Sequence, residues 1–122
     1  MRRKAFTALI LGLAIALPGI ASAENWKRIR TEKNYRSHVV GKTLTADWGW
    51  ARSNADGTFV GEVKGQGKMQ GAWKWQKGFW CRNFVLKGKE RGTDCQIIKR
   101  AGKKIHYTRE KGRGATGVMT IK

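Results

Sequence analysis

The chain has 122 residues, with 26 Lys and Arg against 8 Asp and Glu, six Trp, 16 Gly, one Pro and two Cys. It is too short for a cofactor-binding domain joined to a substrate domain, too rich in Trp and Gly for a long coiled coil, and too aromatic for disorder. The formal charge of +18 exceeds what a solvated surface needs, because self-repulsion destabilises a compact state, and it points to an anionic partner.

Residues 1–23 read as a secretory signal. Met1-Arg2-Arg3-Lys4 is a positive start, and Ala5 to Leu17 is apolar but short of the ~20 residues a membrane span needs. Ala21-Ser22-Ala23 fits small-x-small cleavage. The mature chain is then 24–122, one small β-domain, periplasmic or secreted, with no transmembrane segment. Three basic residues leave with the leader, so 23 basic residues face 8 acidic ones, a net +15.

Glu24 to Arg30 is polar and basic around Trp26 and Ile29. Thr31 is placed to cap a short helix near 32–40, in which Tyr35 and Val39 share a face, and Gly41 stands where a helix-ending glycine belongs. From 43 onward the period becomes two, the mark of half-buried strands. Leu44, Ala46, Trp48 and Trp50 alternate in a first strand, and Ser53 to Gly57 turns the chain. Phe59, Gly61 and Val63 form the second, followed by a Gly65-Gln66-Gly67 turn. Met69, Gly71, Trp73 and Trp75 form the third, and Gln76-Lys77-Gly78 reads as a three-residue hairpin connection.

The fourth strand, 79–86, is apolar on both faces. Trp26 and Trp80 are less constrained than the other tryptophans; Trp80 has the opposite parity to Phe79 and Cys81, so it could be exposed. After a charged loop over Lys87 to Gly92, a fifth strand carries Cys95, Ile97 and Lys99, a sixth Ile105, Tyr107 and Arg109, and a seventh Val118 and Thr120. About seven strands with a turn every 8–14 residues predict an all-β fold, an antiparallel up-and-down barrel or roll, or else a sandwich.

Cys81 and Cys95 are the only cysteines, and an oxidising compartment favours a disulfide between them. Closing a loop of about 15 residues stabilises by roughly 3 kcal/mol in the chain-entropy model. Either a long hairpin or a crossing over one layer brings the two together. His38 and His106 lack companions at metal-ligand spacing, so no metal and no cofactor is expected.

Trp48/Trp50 and Trp73/Trp75 are i,i+2 pairs, each pointing to one sheet face. They read as core, since a barrel with few Leu, Ile and Phe must fill its interior with something; the alternative is a stacking platform. The basic residues fall at turns. One end would hold Lys87, Lys89, Arg91, Lys111 and Arg113, and the other Lys99, Arg100, Lys103 and Lys104. This spread predicts a generally cationic surface that contacts anionic envelope polymers or a membrane surface, without specific nucleic-acid recognition, since no groove-reading helix is predicted.

Catalytic groupings are absent. After the leader the only serines are Ser37 and Ser53, neither in a GxSxG turn, and Gly65-Gln66-Gly67 precedes a strand rather than a helix. The expectation is a non-enzymatic binding domain, with a lipocalin-like small-ligand carrier or an inhibitor of an acidic secreted enzyme as alternatives.

Several short motifs carry a resemblance. They are Val39-Val40-Gly41-Lys42-Thr43-Leu44, Asp56-Gly57, Gly71-Ala72-Trp73-Lys74-Trp75, Phe79-Trp80-Cys81-Arg82, Cys95, and Tyr107-Thr108-Arg109-Glu110-Lys111-Gly112-Arg113-Gly114. The pattern resembles small exported alphaproteobacterial proteins of unknown function, the DUF995-like proteins. The resemblance implies an exported β-domain without an established activity. Some members carry the label dihydrodipicolinate reductase. Such an enzyme needs a nicotinamide-binding βαβ unit, and this chain shows no parallel α/β pattern.

Overall fold

The computed structural model describes residues 24–122; the expected leader and its cleavage site, residues 1–23, lie outside the described residues. The elements are β1 (Lys27–Arg28), α1 (Glu32–His38), β2 (Leu44–Ala46), β3 (Gly49–Ser53), β4 (Thr58–Val63), β5 (Gly67–Gln76) and β6 (Phe79–Leu86). There follow β7 (Lys89–Glu90), β8 (Asp94–Ala101), β9 (Lys104–Thr108), α2 (Arg109–Gly112) and β10 (Thr116–Ile121). Every strand pair is antiparallel.

Eight of the strands close into a barrel. Chain order gives most of the neighbours, β2 to β6 and β8 to β10. Two further pairings complete the ring: β10 against β2, and β6 against β8. Followed around the ring, the register returns to its first strand displaced by several residues, the stagger that closing a sheet requires. Closure leaves no long free edge on the eight-stranded wall.

Alternation sets the inner face. Leu44, Ala51, Phe59, Met69, Trp73, Trp80, Leu86, Ile98, Ile105 and Met119 are buried and form one cluster with Ile29, Tyr35 and Val39. The first expected strand is in fact two. The chain turns at Asp47-Trp48, and β2 and β3 form a tight hairpin. Gly49 permits this: its φ is +147°, and a Cβ there would collide with the Glu62 carbonyl of β4. Trp48 and Trp50 therefore do not share a face. Trp48 reaches the barrel interior, while Trp50 stands outside under the Arg52 guanidinium, 5.5 Å from its ring centroid.

Trp80 is not exposed. It pairs with Trp75 and shares parity with Arg82, Phe84 and Leu86, so it faces inward at 7% exposure. The outward residues of β6 are Phe79, Cys81, Asn83 and Val85. In β10 the buried residue is Met119, while Val118 is exposed. The connection from β5 to β6 has two residues, Lys77 and Gly78, both at positive φ (52° and 85°), as a type I′ hairpin turn requires. Part of the expected charged loop is β7, a short pairing onto the end of β6.

Cys81 and Cys95 are register partners across β6 and β8 and form the disulfide. The bridge thus ties the seam that closes the barrel, on its outer face. α2 folds back over β8, with Gly112 against Ile97 and Lys111 over the Phe79 ring.

α1 plugs one end. The Thr31 hydroxyl accepts from the Asn34 N–H, and Arg36 pairs with Glu32 one turn earlier. A helix of two turns has little stability alone, and burial of Tyr35 and Val39 holds it. Ser53 pins it twice: its hydroxyl bonds the Tyr35 hydroxyl at 2.9 Å, and its carbonyl accepts from the Gly41 N–H at 2.8 Å.

Candidate ligand cavity

The plug is aromatic. Tyr35 lies 5.2 Å from Trp73 and 5.3 Å from Trp75, ring centre to ring centre, and Phe59 meets Trp80 edge-on at 5.2 Å. Trp73 is sealed in place by its indole N–H, which donates to the Asn54 carbonyl at 2.8 Å. Burial pushes the Tyr35 hydroxyl far above its ordinary pKa, although Ser53 and Trp80 oppose the shift, so it stays protonated.

Beyond the plug the side chains do not fill the barrel. A cavity of about 280 Å³ remains, walled on its apolar side by Leu44, Ala51, Phe59, Ile98, Ile105 and Met119. Tyr107 lies across Gly117, its register partner, where any Cβ would collide with the phenol oxygen. The connections after β2, β4, β6 and β9 gather at the end opposite α1, and Trp48, Gln66, Arg91 and Arg109 from that end also line the cavity.

Arg82 is the unusual wall residue. It faces inward from β6 at 8% exposure, with its guanidinium 4.6 Å from the Phe84 ring centroid. Nη1 donates to the Gly92 carbonyl at 3.3 Å, and Nη2 stands 4.0 Å from the Asp94 carboxylate. Burial lowers its pKa from the usual arginine value; Asp94 opposes this, and the charges of Arg109 and Arg91 add to it.

Asp94 is the hub of the open end. It accepts from Gln96 Nε2 at 2.9 Å, from the Glu110 N–H at 2.9 Å and from Arg109 Nε at 3.2 Å. Burial alone would raise its carboxyl, but these hydrogen bonds and the charge of Arg82 hold it below the usual carboxylate range. Two bonds to Asp94 thereby fasten the α2 turn against β8, although Glu110 and Lys111 adopt left-handed φ of 51° and 55°.

The basic residues singled out from the sequence divide between the ends. Lys87, Lys89, Arg91, Lys111 and Arg113 belong to connections at the open end; Lys99, Arg100, Lys103 and Lys104 flank the turn at the plugged end. Lys104 pairs with Glu24 at 2.9 Å, and Arg100 donates to the Gly102 carbonyl. Of these nine, only Arg91 lines the cavity. Of the four paired tryptophans, Trp73 is core, Trp75 packs partly buried against it, Trp48 lines the cavity and Trp50 is outside. Sequence reasoning missed Arg82, Asp94, Gln96 and Arg109. The available signal was parity: Arg82 sits between Trp80 and Phe84 on one strand face, a charge on an apolar stripe.

Among the described residues no group of His, Cys, Asp and Glu is arranged to hold a metal ion, and no helix is long and apolar enough to cross a membrane. The chain matches no family model, and no curated protein and no solved structure is significantly similar to it.

Proposed function

We propose that the protein is an exported, non-enzymatic carrier that holds a small apolar ligand inside its barrel. The observation that carries this reading is the cavity of about 280 Å³, left open although the interior is furnished with large aromatic side chains. Ligand pockets are typically apolar clefts with a few placed polar groups, and volumes start near 300 Å³; this cavity has that composition and lies at the small end. The disulfide supports an oxidising compartment.

Binding of a neutral naphthylamine dye tests it. Trp48 and Trp80 line the cavity, so bound dye should quench tryptophan emission by energy transfer and saturate at one dye per chain. Ala51→Leu, which places a larger side chain against the cavity wall, should weaken binding at least fivefold while the protein stays folded. Unchanged binding by a folded A51L, or no saturable binding at all, would refute the carrier reading.

The exterior charge favours a second reading, contact with anionic polymers or lipid head groups. Eight of the nine basic candidates lie outside the cavity, at both ends. Vesicles with anionic lipid should then bind the protein and release it as salt rises. Neutralising Lys99, Arg100, Lys103 and Lys104 should weaken binding about as much as neutralising Lys87, Lys89, Arg91 and Arg113. An effect confined to one end would refute a distributed surface.

A further inference from the structure

Four arginines, Arg52, Arg82, Arg91 and Arg109, line the cavity, and no carboxylate does. The carboxylate near them is Asp94, beside Arg82 and Arg109. Asp94 already accepts three hydrogen bonds, from Gln96, Glu110 and Arg109. What it offers Arg82 is a contact at 4.0 Å, and the Gly92 carbonyl offers one longer hydrogen bond at 3.3 Å. A guanidinium carries five N–H donors in a rigid fork, so most of those on Arg82 have no protein acceptor in reach of a good bond. No Arg82 nitrogen is both sealed from solvent and unpartnered, so the spare donors remain reachable, and an anion in the cavity can complete their pairing with charge-assisted hydrogen bonds.

The rest of the wall limits what that anion is. Leu44, Ala51, Phe59, Ile98, Ile105 and Met119 present no charge and suit an alkyl chain or a ring. At about 30 Å³ per water-sized group, the cavity takes roughly nine or ten non-hydrogen atoms, which excludes a whole phospholipid. A carboxylate matches the arginine fork, two oxygens to two N–H groups. Building on the carrier reading, we infer that the cavity takes a medium-chain amphipathic carboxylate, its head group on Arg82 with Arg91 and Arg109 beside it, and its apolar part against the aliphatic wall.

Titration calorimetry of the disulfide-intact protein at low salt with octanoate and octan-1-ol tests this. The two probes have chains of equal length and differ in charge. Octanoate should bind once per chain and at least tenfold more tightly than octanol. Arg82→Met should abolish the preference and leave octanol affinity within about twofold. Arg91→Gln, a change at an exposed position that leaves the interior packing alone, should reduce the preference severalfold and provides the test if R82M does not fold. Equal affinity of the wild-type protein for both probes would overturn the carboxylate site while leaving the carrier reading intact. A folded R82M that keeps the full preference would overturn it too. Failure of both probes to bind would overturn the site and the carrier reading together.

Discussion

Trp73→Ala tests whether the plugged end is the centre of stability. Trp73 is 5% exposed, meets Tyr35 at a tilt with ring centres 5.2 Å apart, carries the Arg36 guanidinium at 5.0 Å from its ring, and donates to the Asn54 carbonyl. A buried Trp removes about 150–250 Å² from water, which at ~25 cal/mol per Å² is worth about 4–6 kcal/mol. Alanine retains a little of that area, and the Asn54 carbonyl keeps its other hydrogen bond, from the Gly57 N–H at 3.1 Å. A loss of about 3–5 kcal/mol is therefore expected, the usual range for a core Trp→Ala change. A domain of this length has roughly 5–15 kcal/mol in total, so the variant should be folded only marginally. Urea unfolding followed by far-UV circular dichroism gives the midpoint and the slope. The midpoint should fall steeply at constant slope, as it does when stability alone changes. Trp50→Ala is the matched control, because Trp50 stands outside the barrel wall and is half-buried, and about 1 kcal/mol is expected. A W73A protein within 1 kcal/mol of wild type, or one no weaker than W50A, would refute the assignment of Trp73 to the core.

Reducing the disulfide should cost roughly 3 kcal/mol, the value for a closed loop of about 15 residues. Because the bridge lies on the β6–β8 seam, hydrogen exchange should rise first at the amides of residues 80–82 and 94–96, and uniform exchange across all strands would count against a localised seam. Stability should fall in two steps on acidification. His106 and His38 are both held below the ordinary histidine value, burial first and then neighbouring cations, Lys99 for His106 and Arg100 and Lys42 for His38. The folded state therefore binds fewer protons than the unfolded chain, and stability that is full above about pH 6.5 declines as pH drops below it. Asp94 adds a second loss below about pH 4, where the unfolded carboxyl protonates before the folded one. The urea midpoint measured from pH 7.5 to 3 checks both, with Asp94→Asn reducing the lower step, to which Asp56, held low by hydrogen bonds from Thr58, also contributes; a midpoint independent of pH would refute the linkage.

Local pattern carried much of the fold. The alternation of Phe59, Gly61 and Val63, and of Met69 with Trp73, is set by the two-residue period of a strand, and these residues face inward as expected. Thr31 caps the helix start for a local reason too, while the helix ends at His38 with Val39 as its cap, two residues short of the expected 32–40. The split at Asp47-Trp48 was hidden because Trp48 and Trp50 continue the alternation of Leu44 and Ala46 in the sequence; what breaks it is the close passage of β4 behind Gly49, a long-range contact. An exposed Trp80 rested on taking Phe79 and Cys81 as inward. Register with Trp75 reverses that parity. Nor could the cavity be read from residue types, because interior volume depends on how the strands tilt and stagger on closure.

The same geometry explains why the charged group at the barrel wall lies at the end away from α1. The plug packs Tyr35, Trp73, Trp75 and Trp80 together and leaves the hydroxyl pair of Tyr35 and Ser53 satisfied within itself. The guanidinium at that end, Arg36, is exposed over the Trp73 ring and pairs with Glu32. Arg82 stands opposite Asp94, where β8 begins, and Asp94 is held by the backbone of the α2 turn packed on β8. An apolar cavity left unfilled costs on the order of 24 cal/mol per Å³, so a space of about 280 Å³ that side chains do not fill forgoes about 7 kcal/mol at most, roughly twice what the disulfide contributes. A barrel built only for stability gains by filling that space with one more large side chain. In the proposed carrier, keeping the space and lining it with arginine would exchange stability for a site, and binding of a ligand to the folded state alone would recover part of that loss by mass action.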